Sequence, residues 1–161
     1  MSAPAEEVAA DLEEATAEAI AFVESCTEGH WATMVAGEDW PVGVVLHHVA
    51  VGHLQMIDWL GRACHHEEIT KTAAEIDEDN AGHARTAADA TRAETVEELR
   101  RNGVALVSLV RGLSAEDLAV SVPFGPGDGV VVTVGQLAAV SARHCRTHLA
   151  DARGALESGS I

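Results

Sequence analysis

Several residue types that point to particular classes of protein are scarce in this chain. Tyrosine is absent, and aromatic residues make up only 3% of the 161 residues. Lys and Arg number 10 against 26 Asp and Glu, which gives a formal net charge of −16 at pH 7. A surface of this charge gains no counterion release from a nucleic-acid backbone and no attraction from an anionic membrane, so we expect neither as a partner.

Long apolar runs are also missing, as is the cysteine pattern of secreted domains. No run approaches the roughly 18 residues that cross a bilayer. Residues 1–12 are acidic rather than basic and apolar, so no secretory signal is expected. The three cysteines, Cys26, Cys64 and Cys145, form no Cys-x-x-Cys motif. An odd number of such cysteines predicts free thiols in a reducing cytoplasm.

The chain is rich in Ala, Val and Leu at helical spacing. Apolar residues make up 47% of the sequence, and they recur every three or four positions, which is typical of amphipathic helices. This pattern predicts long helices over about 5–26, 41–64, 95–113 and 133–156. Four such helices predict an all-α fold, an antiparallel four-helix bundle, in a single domain over 1–161 with an ordered part of about 5–157.

Polar and turn-forming residues predict where the elements begin and end. The segments 95–98 and 133–136 have the spacing of a capping box, which opens a helix. The acidic run at 75–80 predicts a loop, followed by a short extra helix at about 81–90. Proline and glycine interrupt 122–132, which predicts an irregular loop with a small β-hairpin before the last helix.

Nine histidines are many for a chain of this length. His144 and His148 are four residues apart, so they share one helix face at about 5–6 Å. Leu137 and Ser141 continue that face, which predicts that it points into the bundle. His48 interrupts the apolar face of the second helix. A buried imidazole needs a polar partner, and a shared metal ion supplies one.

Two interpretations of these histidines are open from the pattern alone. In one, His48, His144 and His148 together bind a divalent metal ion. In the other, each has a separate structural role, with His48 bonded to a backbone carbonyl in the core. His47 lies about 100° from His48 around the helix and is predicted to face the rim. The remaining histidines are predicted to lie off this face or at the surface: His30, His53, His65, His66 and His83.

Three segments of the chain resemble the DinB-like superfamily, a group of metal-binding four-helix bundles. Trp40 precedes His48 by eight residues, as in the second-helix motif of that superfamily. The segment 77–84 resembles its acidic segment between the second and third helices, and 144–148 its His-x-x-x-His motif. The resemblance covers about residues 33–156 and extends to the mycothiol-dependent maleylpyruvate isomerases and the bacillithiol transferases.

The resemblance implies a three-histidine site for zinc or nickel, formed by His48, His144 and His148. It also implies a metal-dependent transferase or isomerase that joins a low-molecular-weight thiol to a small electrophile, and a chain that forms homodimers. Three imidazoles leave a coordination position open, so we expect water or a thiol there rather than a fourth protein ligand. Two other functions stay open: a non-catalytic metal-binding or stress-response protein, and a helical dimer module without metal.

Further residues are candidates for supporting roles around the site. Arg85, Arg143 and Arg146 are candidates for receiving an anionic thiol against the negative field of the chain. Three side chains are candidates for orienting a metal ligand: Asp58, Ser141 and Asp151. We expect the entrance to the site beside the segments 27–39 and 76–84, with Trp31 and Trp40 lining it. No catalytic residue is predicted, and Cys145 is interpreted as a small buried residue.

Overall fold

Four helices of 21 or more residues dominate the fold. The computed structural model describes residues 2–158. Along them the chain forms α1 (Ala3–Ser25), α2 (Glu28–Trp31), β1 (Met34–Val35), β2 (Trp40–Pro41), α3 (Val42–Cys64), α4 (Ala73–Thr86), α5 (Arg92–Gly112), α6 (Ala115–Ala119), β3 (Ser121–Phe124), β4 (Val130–Thr133) and α7 (Val134–Ser158). The predicted all-α fold is confirmed, and the predicted domain limits, 1 and 161, lie outside the described residues.

The predicted four-helix bundle is also confirmed, and its long helices are α1, α3, α5 and α7. α1 and α3 each pack against both α5 and α7. α1 runs antiparallel to α5, as does α3 to α7, whereas α1 is parallel to α7 and α3 is parallel to α5. These directions follow from two contacts in each helix pair. α1 meets α5 at Glu6–Arg111 and Glu24–Arg100, and α3 meets α7 at His48–His148 and Gly52–His144. α1 meets α7 at Asp11–Arg146 and Phe22–Arg153, and α3 meets α5 at His47–Glu98 and Ala50–Asn102.

The parallel arrangement of α3 and α5 dictates the path of the chain between them. After the end of α3 the chain must return along the length of the bundle before α5 can begin. Helix α4 lies on this return path and packs on the outside of α3. None of its described residues is fully buried, so α4 covers the bundle without belonging to its core.

The core is built from leucine, valine and alanine side chains of the four long helices. Its largest side chains are almost completely buried: Leu12, Leu46, Leu60, Leu99, Leu106, Leu137 and Leu149. Between α1 and α5 the helices approach closely at Gly103, where a Cβ atom would lie 2.7 Å from Cγ2 of Thr16. Glycine at this position therefore allows the two helices to pack at this distance.

The prediction of a loop at 75–80 is wrong, because this acidic run lies within α4. The helix begins with a capping box in which the Thr72 side chain accepts from the backbone N–H of Glu75. The Glu75 carboxylate in turn accepts from the backbone N–H of Thr72 at 2.8 Å. These bonds satisfy donors that a helix N-terminus leaves free, and carboxylates near that end are favoured by the helix dipole.

The predicted start of the third long helix at residue 95 is also wrong. α5 begins at Arg92, and its capping box is formed by Thr91 and Glu94. Thr95 is buried, and its hydroxyl donates to the backbone oxygen of Thr91 at 2.9 Å. Two consecutive segments here, 91–94 and 95–98, have capping-box spacing, and the first of them opens the helix.

The segment before α7 forms the predicted β-hairpin. β3 and β4 pair antiparallel, with Val122 opposite Val132. Thr133 and Gln136 then cap α7 as predicted, since each backbone N–H bonds the side chain of the other residue, at 2.9 and 3.1 Å. Within residues 2–158, no helix has the length and apolar character needed to cross a membrane.

Candidate metal centre

His48, His144 and His148 come together between α3 and α7. One ring nitrogen of each lies within 4.8 Å of those of the other two. Nε2 of His48 lies 3.2 Å from Nε2 of His144. His144 and His148 lie one turn apart on α7, with ring centroids 4.6 Å from each other. The structure therefore brings the three predicted metal ligands to one point; that they bind metal stays a prediction.

Two neighbouring residues make room for the imidazoles and hold them. Gly52 lies one turn after His48, and a Cβ atom at Gly52 would lie only 3.2 Å from Cε1 of His144. The absence of a side chain there lets His144 lie against α3. On the other side, the Trp40 ring meets the His48 ring edge-on at a centroid distance of 5.6 Å.

Burial keeps the imidazoles of His48 and His144 neutral at physiological pH. Burial, reinforced by the neighbouring histidines, lowers the pKa of His48 to about 3. Burial and the nearby His148 lower the pKa of His144 to about 4. Neutral imidazole nitrogens are the form that binds a divalent metal ion. Three imidazole nitrogens within 4.8 Å of one another fit zinc, nickel and related ions, for which imidazole is a preferred ligand.

His148 has a carboxylate behind its ring. Its Nδ1 atom is buried and has no hydrogen-bond partner in the part of the chain that the structure describes. The nearest acidic oxygen, Oε1 of Glu38, lies 3.5 Å away. Glu38 is held in the tight turn between β1 and β2, where Gly37 and Asp39 both have positive φ angles, 88° and 57°. A carboxylate next to a metal-binding histidine fixes its tautomer and orientation, and Glu38 is placed for that role.

Glu38 was not predicted from the sequence, whereas Asp58, Ser141 and Asp151 were candidates for orienting a metal ligand. Asp58 forms an ion pair with Arg62 on the outer side of α3. Asp151 is close enough to Glu38 and His148 to form a second candidate cation group with them, although its own side chain is exposed. No sequence signal pointed to Glu38, because it lies in a turn and reaches His148 across more than 100 positions of the chain.

A second group of polar side chains lies next to the three histidines. His47 faces the rim, as predicted, where its Nε2 lies 3.1 Å from Oε2 of Glu98. Its Nδ1 lies 3.3 Å from Nε2 of His83, and the His83 ring lies 5.7 Å from that of His48. The prediction that His83 is an isolated surface residue is wrong, because α4 carries it onto α3.

The other histidines do not belong to the group of three, although His53 lines the pocket beside it. His53 is off the face of His48, as predicted, and is buried, with its Nδ1 atom 2.6 Å from the backbone oxygen of Val49. His30, His65 and His66 are exposed, as predicted.

A pocket of about 160 Å³ opens beside His48 and His144. Its walls are mainly apolar side chains of α3, α4 and α7: Met56, Trp59, Ile76 and Val140. Besides His48 and His144, four polar side chains also line it, those of His53, Gln55, Asn80 and Ser141. Ile76 and Asn80 belong to the segment that we expected at the entrance.

The segment 27–39, by contrast, contributes no residue to the lining of this pocket. The Trp31 indole N–H donates to the backbone oxygen of Ala90 at 2.9 Å, which holds it against the start of α3. Trp40 contacts the His48 ring but does not line the pocket. Of the three tryptophans, it is Trp59 that forms part of the pocket wall.

The three arginines considered for an anionic thiol do not line this pocket. Arg146 faces α1, where it pairs with Asp11 at 2.6 Å. Arg85 and Arg143 are exposed. Cys145 is buried, its thiol donates to the backbone oxygen of Ala15, and burial raises its pKa to about 12. A thiol with this pKa stays protonated, as expected of a small packing residue rather than a nucleophile.

Comparison with known proteins identifies the family. The model of the DinB superfamily matches residues 4–152, and the chain therefore belongs to the DinB superfamily. Its structure is similar to that of YfiT from Bacillus subtilis, described as a probable metal-dependent hydrolase with an unusual four-helix bundle topology. The TM-score is 0.80 and the identity 19%, over 98% of this chain and 89% of that one. This likeness shows the fold. No curated protein matches the chain at a significant level.

Proposed function

We propose that this chain is a metal-dependent enzyme in which His48, His144 and His148 hold a divalent zinc or nickel ion. The observation that carries this proposal is the meeting of three imidazole nitrogens within 4.8 Å at the wall of a pocket. Among the residues described, no fourth His, Cys, Asp or Glu joins this group. Metal sites with three protein ligands and an open position are typical of catalysis, whereas structural zinc sites have four.

The residues of the chain have distinct roles in this proposal. His48 and His144 present neutral nitrogens at the pocket, and Glu38 holds the ring of His148 in place. Met56, Trp59 and Val140 keep bulk water from the reacting atoms. A divalent ion bound there polarises a substrate oxygen and lowers the pKa of a thiol or water molecule, which creates a nucleophile at neutral pH.

The reaction that we propose is attack of a low-molecular-weight thiol on a small electrophile, as in the thiol-dependent transferases and isomerases that the sequence resembles. The second candidate is hydrolysis. It is favoured by one observation: no Lys or Arg is found among the described residues that line the pocket, so no basic side chain there receives the anionic groups of a thiol cofactor. The description of YfiT as a probable hydrolase points the same way.

We propose a cytoplasmic location for the enzyme. Cys26, Cys64 and Cys145 are all free, which suits a reducing compartment.

Metal analysis and two assays test this function. Purified protein is loaded with Zn²⁺ or Ni²⁺, and bound metal is measured after dialysis. Thiol consumption with a panel of small electrophiles and ester hydrolysis are then followed for the wild type and for His144→Ala, with His65→Ala as a matched control. We expect one ion per chain and one activity that His144→Ala abolishes and His65→Ala retains. Metal binding without either activity would favour the non-catalytic alternative, and no metal binding would refute the proposal.

A further inference from the structure

Ser141 is a buried hydroxyl at the wall of the pocket. It lies on α7, one turn before His144, and only 6% of its surface is exposed. A serine within a helix commonly donates to the backbone oxygen one turn earlier. Here the buried Ser141 Oγ atom has no hydrogen-bond partner among residues 2–158, and Ser141 is one of the residues that line the pocket beside His48 and His144.

An unpartnered buried hydroxyl is unfavourable for folding, which makes its position informative. A buried hydroxyl without a partner loses its bond to water and gains nothing in return. Alanine would suit the same helix position better, because it has the higher helix propensity and no polar atom to satisfy. A ligand in the pocket that offers an oxygen to Ser141 would supply the missing bond.

The other walls limit what this ligand is. The volume of about 160 Å³ is close to that of an apolar cavity of about 150 Å³ that holds benzene, so a single ring or a short branched chain fits. Met56, Trp59 and Val140 favour apolar atoms. The lining contains no Lys, Arg, Asp or Glu in the part of the chain described, so a charged group placed away from the three histidines would lose its hydration without a counterion.

We infer that the pocket receives a small, uncharged, mainly apolar molecule with a carbonyl oxygen beside its reacting atom, and that the Ser141 hydroxyl donates to this oxygen. The inference rests on the proposed function, since it takes the pocket beside the three histidines as the substrate site. It makes Ser141 the residue that selects an oxygen-bearing electrophile over a hydrocarbon of the same shape.

A matched pair of probes tests the inference. Cyclohexanone and methylenecyclohexane have nearly the same shape, but only the ketone accepts a hydrogen bond. The affinity of each is measured by ligand-observed NMR for the wild type and Ser141→Ala, in metal-free and in zinc-loaded protein. We expect the ketone-to-hydrocarbon affinity ratio to fall about three- to tenfold in Ser141→Ala, which corresponds to one hydrogen bond. The affinity for the hydrocarbon should be kept.

Two further variants separate this bond from other effects. Asn80→Ala removes another polar group of the pocket and should leave the ratio unchanged. Ser141→Cys keeps the size of the side chain, but its thiol is a weak donor, so it should lower the ketone-to-hydrocarbon ratio as Ser141→Ala does. It takes the place of Ser141→Ala in the test if the alanine variant folds poorly. The inference would be overturned if the ketone-to-hydrocarbon affinity ratio is unchanged in both Ser141 variants, or if it falls in Asn80→Ala.

The inference and the proposed function can fail separately. The inference alone would be refuted if the wild type binds zinc but has the same ketone-to-hydrocarbon affinity ratio as Ser141→Ala. A Ser141-dependent ratio in protein that binds neither zinc nor nickel would refute the metal function and leave the pocket assignment standing. Binding of neither probe to the wild type would overturn the inference.

Discussion

The interface between α3 and α7 and the interface between α1 and α5 differ in chemistry, although their helices have similar lengths. Between α1 and α5 the helices pack closely at Gly103 and Thr16. Between α3 and α7 lie three imidazoles and a pocket of about 160 Å³. Buried polar groups reduce stability unless they are paired. The difference between the two interfaces is that α3 and α7 bring together a group of candidate metal-binding side chains, whereas no such group lies between α1 and α5 among the described residues.

The first prediction tests whether the packed side can be damaged without harm to the site. Leu106→Ala on α5 removes a fully buried side chain and should lower the free energy of unfolding by about 2–5 kcal/mol. The affinity of the folded protein for Zn²⁺ should not change, since α5 contributes none of the three histidines. Urea unfolding and zinc competition titrations measure the two quantities. A matching loss of zinc affinity would show that the two sides are coupled.

The second prediction tests the site side. His144→Ala should reduce zinc affinity by more than about a hundredfold, because loss of a residue that only supports a metal ligand already costs ten- to a hundredfold. His47→Ala, one position from His48 but facing the rim, should have little effect on bound zinc. Competition with a chromophoric chelator measures both. Equal zinc affinity in the two variants would refute the assignment of the ligands.

The third prediction concerns pH and the metal-free protein. The pKa values of His48 and His144 are about 3 and about 4 when folded, against about 6.5 when unfolded. Below pH 6.5 the unfolded chain therefore takes up protons that the folded chain does not, so stability falls as the pH is lowered. At pH 5 each imidazole should cost about 2 kcal/mol relative to pH 7.

Urea unfolding from pH 7 to pH 5 checks this pH dependence. The double variant His48→Gln/His144→Gln serves as the reference, because it lacks both titrating groups but keeps polar side chains of related size. Its stability should change less over the same range. Identical pH profiles would show that the two imidazoles are not held neutral by the fold.

The smallest predicted effect concerns Glu38, the carboxylate next to His148. Glu38→Gln should lower zinc affinity about tenfold, because the amide orients the His148 ring less strongly than a carboxylate does. Glu24→Gln removes one exposed carboxylate elsewhere on the surface and controls for net charge. Zinc titration of both variants decides the point: equal affinities would mean that Glu38 does not support His148.

The sequence was sufficient to predict that His48, His144 and His148 lie together, but not which residues surround them. The choice of His48 over His47 followed from the helical phase, which is a local property of α3. Glu38 and His83 were not found, because each reaches the site from a segment with no apolar periodicity. Their positions depend on how a turn and a partly exposed helix pack on the bundle, and such contacts leave no trace in local spacing.

The starts of α4 and α5 show a different limit. Thr72 and Glu75 have the spacing of a capping box in the sequence, but the acidic residues after them favoured a loop. Around α5, the segments 91–94 and 95–98 have the same spacing. Local rules cannot choose between them, since the choice depends on the burial of Thr95 against the bundle.

The parallel course of α3 and α5 has a consequence for how this fold can acquire new specificities. The chain has to travel back along the bundle between α3 and α5, and α4 lies on this path. Because none of its described residues is fully buried, substitutions in α4 carry a small penalty in stability. Yet Ile76 and Asn80 line the pocket. α4 is therefore a segment in which residues of the pocket lining can change while the four long helices stay intact.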